Sequence, residues 1–372
     1  MASTCSELLQ LCLRGEPWSP ELLNHAIAVD EGRALLSIVV ERLADLFEPR
    51  LADVYERLFR QVIERLTPEL ITRLQTVRPH EFPRSADRVY VLSRITLGAD
   101  IAVTSVLLDA AKRRYPSAEI VLVGPRKNHE LFEADPRIVH REIAYARGGT
   151  LAERLRASAS LWLNDGIVID PDSRLTQLGL ISVCDSDRYF FFNSRSYGSD
   201  GDGRLPDLAA QWADDSQARP YIAPSKSTQA VADITISLGV GENPAKRLTD
   251  EFERELLQML AATGASILID KGGSSEERSR VERAMLPGMV AHDGAFAPFA
   301  AQIARSKLFI GYDSAAGHVA SACGVPLISI AKGFVSPRMA ARWRPNGLVL
   351  DGNASDVLDQ VRKALTTYTF RR

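Results

Sequence analysis

The densest run of chemistry-bearing residues lies at 309–326, FIGYDSAAGHVASACGVP. An apolar strand at 308–310 leads through Gly311 into a polar turn, Asp313-Ser314, and then into small residues, Ala315, Ala316 and Gly317, that open a helix carrying His318. The free N–H groups at a helix start suit a phosphate, and small side chains let a ligand approach the backbone. His318 follows Ser314 by four positions, so both occupy one helical face. The competing reading is an ordinary strand–helix turn with Asp313 as its N-cap.

Four other groups fall after apolar runs. Asp100 sits in the loop 93–100, where a carboxylate could take a proton from a hydroxyl or cap the helix that follows. Asp170, Asp172 and Arg174 could bind a polyol or lace a turn with their own hydrogen bonds. Lys246 and Arg247 could neutralise a diphosphate, one by point charge and one by its fork, or form a solvated basic pair. Glu276 and Glu277 could accept hydrogen bonds from a ribose or complement a helix dipole. The loop at Gly98 is not G-x-G-x-x-G, and neither a phosphate loop ending in G-K-[ST] nor paired metal-ligand spacing occurs.

The elements that must position these residues follow from periodicity. Residues 1 to about 78 carry apolar positions at spacings of three and four, as in Leu35, Leu36, Val39, Val40 and Leu43, and predict a wholly helical segment. So short a segment buries little core of its own. That suggests plain packing or a dimerisation surface. After a linker at 78–87, strands at 89–92, 119–123 and 166–169 alternate with helices at 101–115 and 151–163, the signature of a parallel sheet. An aromatic strand at 189–192 follows, then a loop and hinge from 193 to about 227. A second series has strands at 233–238, 265–269, 289–291, 308–310 and 327–330. Helices at 250–263, 274–284 and 296–306 separate them, and a closing helix covers 355–365. The expected organisation is α/β: a helical extension over 1–80, two Rossmann-like domains at 86–225 and 228–350 facing a cleft, and a C-terminal helix within 351–372.

Composition bounds the function. The 372 residues, 45% hydrophobic and 25% charged with net charge −2, are those of an ordinary globular chain and give no electrostatic footprint for nucleic acid. No apolar run reaches the roughly 20 residues of a bilayer span. The start of the chain lacks a basic region and contains Glu7, unlike a signal peptide. The scattered Cys5, Cys12, Cys184 and Cys323 indicate neither zinc site nor disulfide framework, so a reducing cytoplasm is the expected location.

Together the motifs resemble glycosyltransferase family 9, the ADP-heptose:lipopolysaccharide heptosyltransferases and their relatives. The likeness rests on Asp313-Ser314-Ala315-Ala316-Gly317-His318 with Ala322-Cys323-Gly324-Val325-Pro326, on Gly98-Ala99-Asp100-Ile101 with Tyr115-Pro116-Ser117-Ala118-Glu119-Ile120, and on Gly272-Gly273-Ser274-Ser275-Glu276-Glu277-Arg278. It runs from about 89 to about 337. The resemblance implies a GT-B fold and an inverting, metal-independent transfer with no cofactor, from a nucleotide-diphospho-sugar, ADP-type favoured, to a glycan or other hydroxyl acceptor. It makes Asp100 the general base. It also makes Lys246, Glu276, Asp313, Ser314 and His318 donor contacts, beside Arg247, Ala315 and Gly317, with Asp170, Asp172 and Arg174 on the acceptor side. Two departures stand out: Ala99 is inserted between Gly98 and Asp100, and Ala315 replaces the motif glycine. Peripheral membrane contact and a homodimer through the helical extension are compatible with this reading. The rivals are an epimerase-like GT-B enzyme and a nucleotide- or glycan-binding scaffold without turnover.

Overall fold

The computed structural model describes residues 2–74, 81–146, 148–199, 201–225, 230–241 and 243–368. Parts of the expected linker (78–80), of the hinge (200, 226 and 227) and of the C-terminal segment (369–372) lie outside them. The chain forms two compact units. One comprises Met1–His129, Arg137–Arg219 and Val335–Trp343, the other Glu130–Pro136, Pro220–Phe334 and Arg344–Arg372.

In the first unit five strands form one parallel sheet: β1 (Arg88–Leu92), β2 (Glu119–Gly124), β3 (Ile138–Glu142), β4 (Ile167–Asp170) and β5 (Tyr189–Phe191), in the order β3-β2-β1-β4-β5. β3 was not foreseen, because an edge strand with the exposed polar pattern of His140, Arg141 and Glu142 carries little apolar signal. The predicted helix at 151–163 stops at Arg156. The turn after it is instead held by Arg73, whose guanidinium donates to the carbonyls of Ser158, Ala159, Leu161 and Ser182. Within the supposed loop 193–227 lies the helix Leu205–Trp212, started by Pro206 in its first turn.

The helical extension belongs to this unit. Ala2–Arg14, Pro20–Ala28 and Pro49–Leu66 are α-helices, and Ser19 caps the second by accepting from Leu22 N. Asp30 and Glu31 adopt left-handed backbone, so 31–47 is not one helix but a broken series. Leu35, Val39, Leu51, Leu58, Phe59 and Val62 are fully buried, and Leu151, Leu155, Leu178, Leu180 and Ile181 join the same cluster. The apolar faces that suggested a dimerisation surface are therefore covered by this chain's own residues.

The second unit has six parallel strands: β6 (Ile234–Ser237), β7 (Ile267–Asp270), β8 (Val290–His292), β9 (Leu308–Tyr312), β10 (Leu327–Ala331) and β11 (Leu348–Asp351), ordered β11-β10-β9-β6-β7-β8. Ile236, Ile269, Ile310 and Ile330 fill its core. The two parallel sheets with their helices, and the helical segment before them, bear out the expected α/β architecture. No helix among the described residues is long and apolar enough to cross a membrane.

Candidate functional site

Strand order fixes where a ligand belongs. In an open parallel sheet the binding crevice lies beyond the carboxyl ends of the strands, where successive connections run to opposite sides. In the second unit that switch point falls between β9 and β6; in the first it falls between β1 and β4. Most of the sequence-derived candidates lie at these two places, while Glu276 and Glu277 follow β7.

At the β6/β9 switch point, β9 runs into Asp313-Ser314 and the helix Ala315–Ala322. Asp313 does not cap that helix. Its Oδ2 takes a 2.5 Å bond from Lys246 Nζ, which also lies 3.4 Å from the Asp313 carbonyl. Lys246 is delivered by the turn Pro244–Lys246, closed by Asn243 Oδ1 accepting from Ala245 N at 3.1 Å. Ser314 stands at the cap position in extended backbone, its Oγ buried without a hydrogen-bond partner. His318 is half-buried one turn on. Burial lowers its pKa, Asp313 opposes that, and Lys246 adds to it, so the ring is neutral at pH 7. Ala316 and Gly317 are buried, and a Cβ at Gly317 would meet only Leu327 Cδ1, at 4.0 Å. The glycine is not required by packing. Ala315 is half-buried at the first helical position.

Arg247 has a different place from the one expected. Its guanidinium pairs with Glu253, at 2.8 Å, and with Asp250. Glu253 is fully buried and also receives Arg280 and the Tyr312 hydroxyl. Its Nε and one terminal nitrogen are thus committed to carboxylates, Glu253 buried and Asp250 exposed, and Arg247 is charge-compensated rather than a free cation.

The acid at the end of β7 also differs. Glu276 is exposed and makes no hydrogen bond among the described residues. Glu277 Oε2 accepts from Gly273 N at 3.0 Å, while Ser274 caps the helix by accepting from Glu277 N at 3.1 Å. A Cβ at Gly239 would come within 2.9 Å of Glu277 Oε1, so this carboxylate lies between the loops after β6 and β7. The sequence reading chose Glu276 of this pair as the ribose contact, whereas Glu277 is the member that turns inward, because Gly273 N draws its carboxylate back over the helix start.

At the β1/β4 switch point Asp100 is completely buried. The inserted Ala99 is absorbed by a π-turn, Asp100–Thr104, whose closing bond runs from Ser105 N to Asp100 O. A π-turn accommodates one extra residue in a helix. The Asp100 carboxylate then accepts four hydrogen bonds: from Ser93 Oγ and Asn128 Nδ2 on one oxygen, and from Arg94 N and Thr104 Oγ1 on the other, all between 2.5 and 2.6 Å. Burial raises its pKa and the four donors oppose that. These bonds brace a strained loop, since Ile95 has a φ of 74°, rare for a β-branched residue. An acceptor hydroxyl reaching this carboxylate must displace a donor.

Asp170, Asp172 and Arg174 do not form one ligand set. Asp170 is internal, accepting from Ser173 N, Thr176 Oγ1 and Tyr189 OH. Asp172, at φ 71°, accepts from Ser194 Oγ at 2.7 Å and pairs with Arg195 at 3.3 Å, leaving Oδ1 buried and unpartnered. Arg174 interacts electrostatically with Tyr55, Glu41 and Asp45 of the helical extension. Sequence reading missed Arg94, Asn128, Ser194 and Arg195. They lack a motif and meet only through the fold. Arg94 donates to Pro171 O and Ser194 Oγ, tying the loops after β1 and β4 together.

Residues 186–344 match the family model of glycosyltransferase family 9 (heptosyltransferase). Solved structures share the fold. Escherichia coli heptosyltransferase WaaC with ADP aligns at TM-score 0.55 and 19% identity, over 75% of this chain and 99% of that one. ADP-heptose LPS heptosyltransferase II of E. coli aligns at 0.54 and 17%, over 75% and 98%. A family 9 glycosyl transferase from Veillonella parvula aligns at 0.53 and 16%, over 79% and 94%. No curated protein sequence matches the chain. Over residues 186–344 the chain is thus similar to glycosyltransferase family 9, as its motifs suggested. The family match supports glycosyltransferase activity.

Proposed function

We propose that this protein moves a sugar from a nucleotide-diphospho-sugar to a hydroxyl acceptor with inversion and without a metal, an ADP-sugar such as ADP-heptose being the favoured donor. The observation that carries the proposal is the constellation after β9. Lys246 is held against Asp313, Ser314 Oγ has no partner, and the N–H groups of a helix start lie beside both. Such a start receives phosphate oxygens, and fixed hydrogen-bond donors aimed at developing charge contribute most of the rate acceleration in this kind of catalysis. On this reading Glu277, at the neighbouring strand end, accepts hydrogen bonds from the ribose; its carboxylate beside Gly239 and Gly273 supports that role. Neutral His318 donates one hydrogen bond without adding charge.

In the transfer step an acceptor oxygen attacks the anomeric carbon as the bond from that carbon to the phosphate oxygen breaks. The diphosphate departs towards Lys246 and the helix start. The acceptor proton goes to Asp100 once the hydroxyl has replaced one of its side-chain donors; the raised pKa favours that uptake. The fourfold bonding of Asp100 also supports a second reading, a nucleotide-sugar-binding scaffold without turnover.

Calorimetric titration with ADP, UDP and GDP, on the native protein and on Lys246→Ala and His318→Ala, tests the donor site. Binding of one nucleotide, weakened in both variants, is expected. No binding of any overturns the proposal. Release of that nucleoside diphosphate from its sugar conjugate in the presence of an acceptor panel, lost in Asp100→Asn, separates the enzyme from the scaffold.

A further inference from the structure

The diphosphate site proposed above has a charge deficit. Lys246 carries one positive charge, but Asp313 lies against it with one negative charge, and His318 is neutral. Arg247 cannot supply the difference, being paired with Glu253 and Asp250. Lys271 and Lys307 are likewise taken, by Glu282 and Asp293 and by Asp233. A diphosphate brings two or three negative charges to this place.

Lys332 follows β10, the strand beside β9. The register pairs Ile330 with Tyr312, and Asp313 N donates to Ile330 O at 3.1 Å. Lys332 thus stands two residues beyond the last position of β10 paired with β9, as Ser314 does beyond that of β9. Lys332 is half-buried and makes no hydrogen bond or ion pair among the described residues. The backbone is arranged around it. Gly333 has a φ of 76°, and a Cβ there would meet the Ala245 carbonyl carbon at 3.1 Å and Lys246 N at 3.2 Å, so the segment after Lys332 lies directly on the turn that carries Lys246. On the other side, a Cβ at Gly352 would meet Lys332 Cβ at 3.1 Å. The Phe334 ring stands 5.8 Å from Lys246 Nζ, closing the same corner.

We propose that Lys332 is the second cation of the nucleoside diphosphate site, neutralising phosphate oxygens whose charge Lys246 leaves uncompensated. The inference rests on the donor-site reading. A flexible ammonium suits this task, because it can follow charge as the bond to the sugar breaks. It binds the diphosphate group and not the nucleoside.

The test uses the full chain and the nucleoside diphosphate that it binds most tightly among ADP, UDP and GDP, with the matching monophosphate and nucleoside. Lys332→Met is expected to weaken the diphosphate by about ten- to a hundredfold, as for loss of a charge-assisted hydrogen bond. The monophosphate should weaken less and the nucleoside not at all. Lys332→Arg should keep most of the affinity, and the salt dependence of binding should flatten in Lys332→Met. Lys332→Gln repeats the measurement if methionine disturbs folding. Diphosphate binding within twofold of the native protein in these neutral variants overturns the role of Lys332 alone. Failure of the native protein to bind any of the three diphosphates overturns the donor site, and this inference with it.

Discussion

Lys246 and Asp313 pair at 2.5 Å, each supplied by a loop on one side of the β6/β9 switch point. The carboxylate side chain is 8% exposed and the ammonium side chain 19%. Removing one member of a buried pair strands the other, at a cost of about 3 kcal/mol or more. Lys246→Ala should therefore lose both thermal stability and nucleotide affinity. Asp313→Asn added to it should restore much of the stability and none of the affinity. Thermal melts and calorimetry on the single and double variants check this. Recovery of binding in the double variant would show that Lys246 acts only as a counter-ion to Asp313.

Gly317 separates packing from ligand approach. A Cβ there meets nothing closer than 4.0 Å, and glycine within a helix costs about 1 kcal/mol relative to alanine. Gly317→Ala is expected to raise the melting temperature slightly, since the added methyl group meets Leu327 Cδ1 no closer than 4.0 Å, and on the donor-site reading to weaken diphosphate binding at the small-residue helix start. A gain in stability with unchanged affinity would remove Gly317 from the site.

How far the site could be read from sequence depended on what each residue needs. The run from Asp313 to His318 was legible because a strand, a polar turn and a small-residue helix are local features. The parallel sheets were legible from the alternation of apolar runs with helical periods. Edge strands such as Ile138–Glu142 and Leu348–Asp351 were not, since half of each faces solvent or sits at a sheet margin. The commitment of Arg247 to Glu253 was invisible because Glu253 lies on the buried face of a helix, where a lone acid reads as a polar surface position. The fourfold bonding of Asp100 required Asn128, 28 residues away, and the π-turn that absorbs Ala99. The insertion itself was visible in the sequence, but its accommodation depends on hydrogen-bond geometry.

The inward position of Glu277 makes a direct contrast with Glu276. Glu277→Gln is expected to weaken nucleoside and nucleotide alike by about tenfold, because a charge-assisted acceptor becomes a neutral one. Glu276→Gln, on an exposed side chain without partners among the described residues, should leave affinity within twofold. Titration of the free nucleoside is the informative measurement, since it is blind to the phosphate contacts. The reverse order of effects would return the ribose to Glu276.

Asp170 gives a pH dependence whose sign follows from its environment. Burial pushes its pKa up from 3.8 to about 6, against the pull of three hydrogen-bond donors. A carboxyl group with a raised native pKa binds its proton more tightly folded than unfolded. Its stabilising contribution is complete below about pH 4 and is lost as pH rises through about 6. Over that window the loss amounts to roughly 3 kcal/mol, from 1.36 kcal/mol per unit. Asp170→Asn removes the titration while the other groups remain common to both proteins. Denaturant midpoints measured from pH 4 to pH 7 should therefore show the native protein losing stability relative to Asp170→Asn as pH increases. Parallel profiles would mean that Ser173 N, Thr176 and Tyr189 already hold the carboxylate ionised at pH 4.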